Sequence, residues 1–159
     1  MVSSTEAAPS LSSSLSSSFL LQPRPLPLRK VQSLSPSALA YLGDAVYELY
    51  IRQALLLPPQ RIETYHHRVV AQVRAEAQAN YLQQLAPHLT DVEWDWVRRG
   101  RNAASSRHKR VDAQIYQQAT GFEALIGYLY LVQPERLEVL LSHLNHSSEE
   151  SLSAPHRAG

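Results

Sequence analysis

The sequence predicts an all-α bundle. Apolar residues recur at three- and four-residue steps through the middle of the chain, capping residues and prolines punctuate it at helical spacing, and no stretch alternates like a strand for long. Ser35 before Pro36 opens the first helix, with a side-chain oxygen to cap free N–H groups and a proline at the first helical position, where no hydrogen bond is lost. Leu39, Leu42, Val46, Leu49 and Tyr50 continue the stripe to Leu55, until Pro58 and Pro59 stop it. Val69, Val73, Ala77, Tyr81 and Leu85, four residues apart, predict a second long helix closed by Pro87. Thr90 and Glu93 have capping-box spacing and open a short helix with Trp94 and Val97 that ends near Gly100, where a basic turn begins. A fourth helix, from about Val111 to Val132, carries Ile115, Phe122, Leu125, Ile126 and Leu129. Pro134 starts a fifth through Leu137, Leu140, Leu141 and Leu144.

Composition narrows the function. The chain has 159 residues, 44% hydrophobic and 18% charged, as expected for one folded domain with loose ends. The expected division is a disordered Ser/Pro-rich segment at 1–33, a folded domain at 34–146 and a disordered tail at 147–159. The absence of cysteine excludes disulfides, cysteine-ligated zinc, iron–sulfur clusters and a cysteine nucleophile. No apolar run approaches the roughly 18 to 20 residues of a membrane-spanning helix, and none of the five glycines belongs to a phosphate-cradling array. Net charge is only +1, so any site for a polyanion must be local. Arg98, Arg99, Arg101, Arg107, Lys109 and Arg110 supply such a patch: six cations within thirteen residues, with no acid among them, leaving the rest of the chain at net −5. Interspersed Asn102 and small residues suit a segment closing on a phosphate backbone, although a charge run can equally be a solvated loop. Arg68 and Arg74 on the second helix are further candidates for the same contact, with ordinary helix-surface charge as the alternative.

Two acids stand inside apolar helices. Asp44 lies in Leu42-Gly43-Asp44-Ala45-Val46-Tyr47-Glu48, with Glu48 one turn on, and Glu123 lies in Thr120-Gly121-Phe122-Glu123-Ala124-Leu125-Ile126-Gly127. A carboxylate buried amid apolar residues needs a partner such as a metal ion; the alternatives for either acid are a solvated place on the helix edge or pairing with Arg52, Arg68 or Arg74. Hard divalent cations favour oxygen ligands, and two such helices packed together would bring their carboxylates to one place. The His66–His67 pair lacks the helical spacing of a metal site, and a histidine in a basic stretch such as His108 more often meets phosphate or solvent, so all three are set aside as catalysts.

Leu42-Gly43-Asp44-Ala45-Val46-Tyr47-Glu48-Leu49 resembles the signature helix of the ribonuclease III family, and Phe122-Glu123-Ala124-Leu125-Ile126-Gly127 resembles its second acidic motif, in the same order. The likeness is closest to the compact Mini-ribonuclease III branch, in which the nuclease domain stands without a double-stranded-RNA-binding domain. Arg98-Arg99-Gly100-Arg101-Asn102-Ala103 is similar to the basic loop of that branch, and the match covers about 34–144. This resemblance implies a dimeric ribonuclease III-like helical bundle that hydrolyses double-stranded RNA to 5′-phosphate and 3′-hydroxyl ends with magnesium, manganese being a substitute. Asp44 and Glu123 would be the metal-binding catalytic carboxylates and Glu48 a supporting group behind them or the partner of a basic residue. Full-length members carry further acids where this chain has Ser37, Ala40 and Thr120, so fewer ligands come from the protein here. The family further implies a homodimer, for which Tyr41, Tyr47, Tyr50, Tyr128 and Tyr130 are candidate packing residues, the alternative for them being the monomer core. It also implies precursor large-subunit (23S) ribosomal RNA as substrate, with a ribosomal protein as a partner that could present it. A non-catalytic RNA-binding or ribosome-assembly factor with the same fold is the competing expectation. Bacterial cytoplasm is the expected compartment, with a plastid as the alternative if 1–30 is a transit peptide.

Overall fold

The computed structural model describes residues 25–104 and 112–144. Among them every regular element is helical. The helices are α1 (Leu28–Gln32), α2 (Pro36–Ala54), α3 (Ile62–Val73), α4 (Ala75–Leu85), α5 (Asp91–Ala103), α6 (Ala113–Val132) and α7 (Pro134–Ser142), with a single 3₁₀ turn at Ala86–His88. None of these helices is long and apolar enough to cross a membrane. The chain segments expected to be loose at 1–24 and 147–159 lie outside the described residues, as do Arg107, His108, Lys109, Arg110 and the expected helix start at Val111.

The bundle is organised around α6. This helix is apolar on nearly all sides, which suits a helix surrounded by others rather than one lying on a surface. Phe122, Ala124, Leu125, Ile126 and Leu129 are fully buried in it, and α2, α4, α5 and α7 all pack on it. Glycines set how closely. A Cβ at Gly43 of α2 would lie 1.8 Å from the carbonyl oxygen of Glu123, and one at Gly127 of α6 would lie 2.0 Å from that of Leu39. The two backbones therefore touch directly, at the turns that carry Asp44 and Glu123.

The helix starts follow the sequence signals. The Ser35 hydroxyl accepts from Ala38 N at 3.1 Å, and Asp112 caps α6 by accepting from Gln114 N at 3.0 Å. At α5 the capping box closes in both directions, between Thr90 Oγ1 and Glu93 N and between Glu93 Oε2 and Thr90 N. Glu93 is buried, and Arg136 of α7 supplies its counter-charge through Nε at 2.8 Å and Nη2 at 3.0 Å.

Three expectations require correction. The second long helix is two helices, because Arg74 adopts an extended backbone (φ −66°, ψ 157°) that ends α3 and starts α4. The bend lets α3 stay on α2 while α4 crosses to α6, so both halves keep their apolar residues inward and the four-residue rhythm runs on through the break. The short helix does not end at Gly100; it continues to Ala103. A Cβ at Gly100 would meet Ala124 Cβ at 2.6 Å and Thr120 O at 2.9 Å, so this glycine admits α6 rather than terminating α5. Arg98, Arg99, Arg101 and Asn102 therefore belong to a helix and not to a turn. Lastly, Leu28–Gln32 is helical within the segment expected to be unstructured, since Val31 reaches the core and is fully buried.

Candidate active site

The contact between Gly43 and the Glu123 backbone brings the two sequence-predicted carboxylates together. Asp44 and Glu123 line one cavity of about 290 Å³ with Ser37, Ala40, Tyr41, Ala103, Ala104, Tyr116 and Thr120. Its walls come from α2, the end of α5 and the first half of α6. Ser37, Ala40 and Thr120, the positions at which the resembled family carries extra acids, all face this same space. The Thr120 hydroxyl donates to Tyr116 O at 3.0 Å, which leaves its oxygen lone pairs available to the cavity.

The electrostatics mark a site in need of positive charge. Burial, and then the nearby Glu48 carboxylate, raise the pKa of Asp44 above the ordinary range for aspartate. Burial, and then the Asp44 carboxylate, push Glu123 up to about 7, against a hydrogen bond from the Gln78 side chain that pulls the other way. The charges acting on each carboxylate are thus other carboxylates. A divalent cation answers this arrangement with the oxygen ligands it prefers. Among the described residues no group of three or more His, Cys, Asp and Glu side chains is placed to hold a metal, so water and substrate oxygens would complete the shell beyond Asp44 and Glu123.

The other candidates divide. Glu48 pairs with Arg52 one turn on, Arg52 Nε donating at 3.0 Å, and so satisfies by itself the basic-partner alternative while remaining close enough to act on Asp44. Ala103 and Ala104 bring the end of α5 to the cavity, with Arg101 and Asn102 just before them. Arg98 lies exposed one turn back, 3.5 Å from Asp95. Arg99 faces elsewhere: its guanidinium sits 4.6 Å from the Trp96 ring centroid and 3.6 Å from Asp95, along a groove lined by Leu28, Gln32, Asp91, Val92 and Tyr128. Arg68 donates to Gln60 Oε1 at 3.1 Å, and Arg74 marks the α3–α4 break; neither lines the cavity. Of the tyrosines offered for packing between copies, Tyr47 and Tyr128 belong to the monomer core and Tyr50 and Tyr130 pack against it, whereas Tyr41 is 85% exposed at the cavity.

Gln78 escaped the sequence reading. It shares a face of α4 with Leu82 and Leu85, at spacings of four and seven, but the rhythm through Ala77, Tyr81 and Leu85 drew the stripe one residue aside. A polar residue in register with two buried leucines was the available signal.

Residues 37–134 match the family model for the ribonuclease III domain. A Synechocystis sp. protein named Mini-ribonuclease 3 is 62% identical over 112 residues, 70% of this chain and 78% of that one. Its namesake from Thermosynechococcus vestitus is 52% identical over 138 residues, 84% of this chain and 89% of that one. A crystal structure of a Fusobacterium nucleatum protein superposes with a TM-score of 0.65 at 29% identity, covering 69% of this chain and 91% of that one. On these likenesses, and on the two acidic motifs that meet at one cavity, the chain belongs to the ribonuclease III family of endoribonucleases, within its Mini-ribonuclease III branch.

Proposed function

We propose that this endoribonuclease cuts double-stranded RNA with magnesium held between Asp44 and Glu123, and that its substrate is precursor large-subunit ribosomal RNA. One observation carries the reading: two carboxylates from separate helices share one cavity, each with its pKa raised, and the charge acting on each is another carboxylate. When bound, the cation supplies Lewis acidity to the scissile phosphodiester and to the attacking water. The chain supplies the rest. Asp44, nearer the solvent, gives a carboxylate that a phosphate and its waters can approach, and the more deeply buried Glu123 closes the inner side. Ser37 and Thr120 offer hydroxyl oxygens to ordered water where full-length relatives place acids, which favours a single tightly held cation over two. The family route needs no covalent nucleophile, and no side chain is assigned as one.

RNA contact in this reading begins at the end of α5, where Arg101 and Asn102 immediately precede the cavity-lining Ala103 and Ala104 and Arg98 lies exposed one turn back, and it takes in the basic residues Arg107, Lys109 and Arg110 that follow in the sequence. Such contacts hold a duplex by its backbone and shape without reading its sequence. Cutting both strands needs two sites, which a symmetric homodimer supplies; Tyr41, exposed at the cavity, supports a partner surface there. Bacterial cytoplasm is the proposed place of action, in keeping with the bacterial origin of the similar Mini-ribonuclease 3 proteins.

The test is a denaturing gel of a long RNA duplex and a ribosomal precursor incubated with the protein, with and without magnesium. Magnesium-dependent fragments bearing 5′-phosphate ends are expected. Binding of both RNAs without cleavage under any divalent ion would replace the reading with that of an RNA-binding assembly factor.

A further inference from the structure

Gln78 lies 1% exposed, more deeply than the other buried non-tyrosine polar residues among those described, Glu93 at 3% and Thr120 at 9%. Burying an amide is unfavourable unless its groups are hydrogen-bonded, so its partners reveal what holds it there. Nε2 donates to Val73 O at 3.1 Å, the carbonyl of the last residue of α3, which the extended backbone of Arg74 separates from α4. Across the α4–α6 contact the same side chain acts on the Glu123 carboxylate, pulling its pKa down against the effect of burial. Its Oε1 has no partner.

The pattern is one-sided. The Val73 carbonyl gains a donor and the Glu123 carboxylate is favoured in its charged form, while the amide's own acceptor is left bare in the interior, at a cost that a purely structural side chain of the same shape would avoid. A methionine would fill this space, with Leu82 and Leu85 on the same face, without an orphaned oxygen. Resting on the function proposed above, we propose that Gln78 is a positioning residue: anchored on the Val73 carbonyl at the α3–α4 break, its amide holds the Glu123 carboxylate in the orientation that receives the divalent cation with Asp44. The helix break thereby gains a role. It exposes a fixed backbone acceptor that clamps the amide from one side while Glu123 is held from the other. Replacing a group that orients a metal ligand in this way typically costs about 10- to 100-fold in metal affinity or activity.

The experiment follows Mn2+ binding to the full chain by electron paramagnetic resonance, without RNA, and then kcat and KM on an RNA duplex, for wild type, Gln78→Met, Asp44→Asn and Thr90→Ala. Gln78→Met is expected to weaken Mn2+ binding and to lower kcat about 10- to 100-fold, with KM for RNA unchanged. Thr90→Ala removes a cap at the far end of α5, lowers the melting temperature and leaves Mn2+ affinity at the wild-type value. If Gln78→Met melts below the assay temperature, Gln78→Asn replaces it; one methylene too short to reach both acceptors, it carries the same expectation. Mn2+ binding by Gln78→Met equal to wild type, while Asp44→Asn loses it, overturns the positioning role alone. Equal binding by wild type and Asp44→Asn overturns the carboxylate site itself, and the positioning role with it.

Discussion

Asp44 and Glu123 were legible as residues because an acid in an apolar helix is costly without a partner, and the cavity they share accounts for both. How they differ was not legible, since it depends on depth and on facing charges supplied by other helices. The raised pKa of Glu123 has a consequence for folding. Between the ordinary value of 4.5 and about 7, the metal-free folded chain keeps a proton on Glu123 that the unfolded chain has released. Stability is therefore fully present below pH 4.5 and falls as pH rises through this window, by about 3 kcal/mol in all. Thermal melting in chelator from pH 4.5 to 8 should show this decline in wild type and a shallower one in Glu123→Gln. Parallel curves would mean that Glu123 titrates as an exposed carboxylate. Gln78 marks the limit of reading residues singly: its importance lies in a backbone carbonyl freed by a helix break that the sequence does not announce and in a carboxylate on a distant helix.

At the scale of elements, caps and prolines located helix starts well because their hydrogen bonds are local: Ser35 and Thr90 cap as their spacing implies. Helix ends and breaks were less visible. No proline or glycine announces the bend at Arg74, which follows from α3 and α4 packing on different neighbours. Gly100 illustrates the converse error, a glycine serving a helix crossing that resembles a stop signal when read along the chain. The same close packing makes Gly43 a sensitive position. Gly43→Ala would drive a methyl into the Glu123 carbonyl, where the Cβ would lie 1.8 Å away, and backbone cannot swing aside as a side chain can. A loss of about 3 kcal/mol is expected, at the upper end for overpacking, together with impaired cleavage because α2 and α6 carry the two carboxylates. Chemical denaturation measures the first effect, and a near-neutral result would show that the two helices can separate without loss.

For the molecule as a whole, the segregation of positive charge was plain from the sequence, but its distribution over the surface was not. The basic run divides at α5: Arg101 stands just before the cavity-lining Ala103 and Ala104 and Arg98 is exposed with one 3.5 Å contact to Asp95, whereas Arg99 is held by both Trp96 and Asp95 along another groove. Duplex RNA binding measured over a range of salt, without divalent ions, should therefore lose about one unit of log–log slope in Arg98→Ala and in Arg101→Ala. Arg99→Ala should leave the slope unchanged. Equal effects at all three positions would indicate that RNA also lies along the Trp96 groove. The fold class followed from periodicity, caps and prolines, whereas the proposed dimer would use surfaces that periodicity does not distinguish from core, as the burial of Tyr47 and Tyr128 beside the exposure of Tyr41 shows.

The most direct measurement compares duplex cleavage by Asp44→Asn, Glu123→Gln and the double variant at saturating magnesium. If the two carboxylates hold one cation, they act as a unit, and each single substitution should reduce kcat about as far as both together. Single losses that multiply in the double variant, or a single variant that retains wild-type kcat, would contradict a shared metal site.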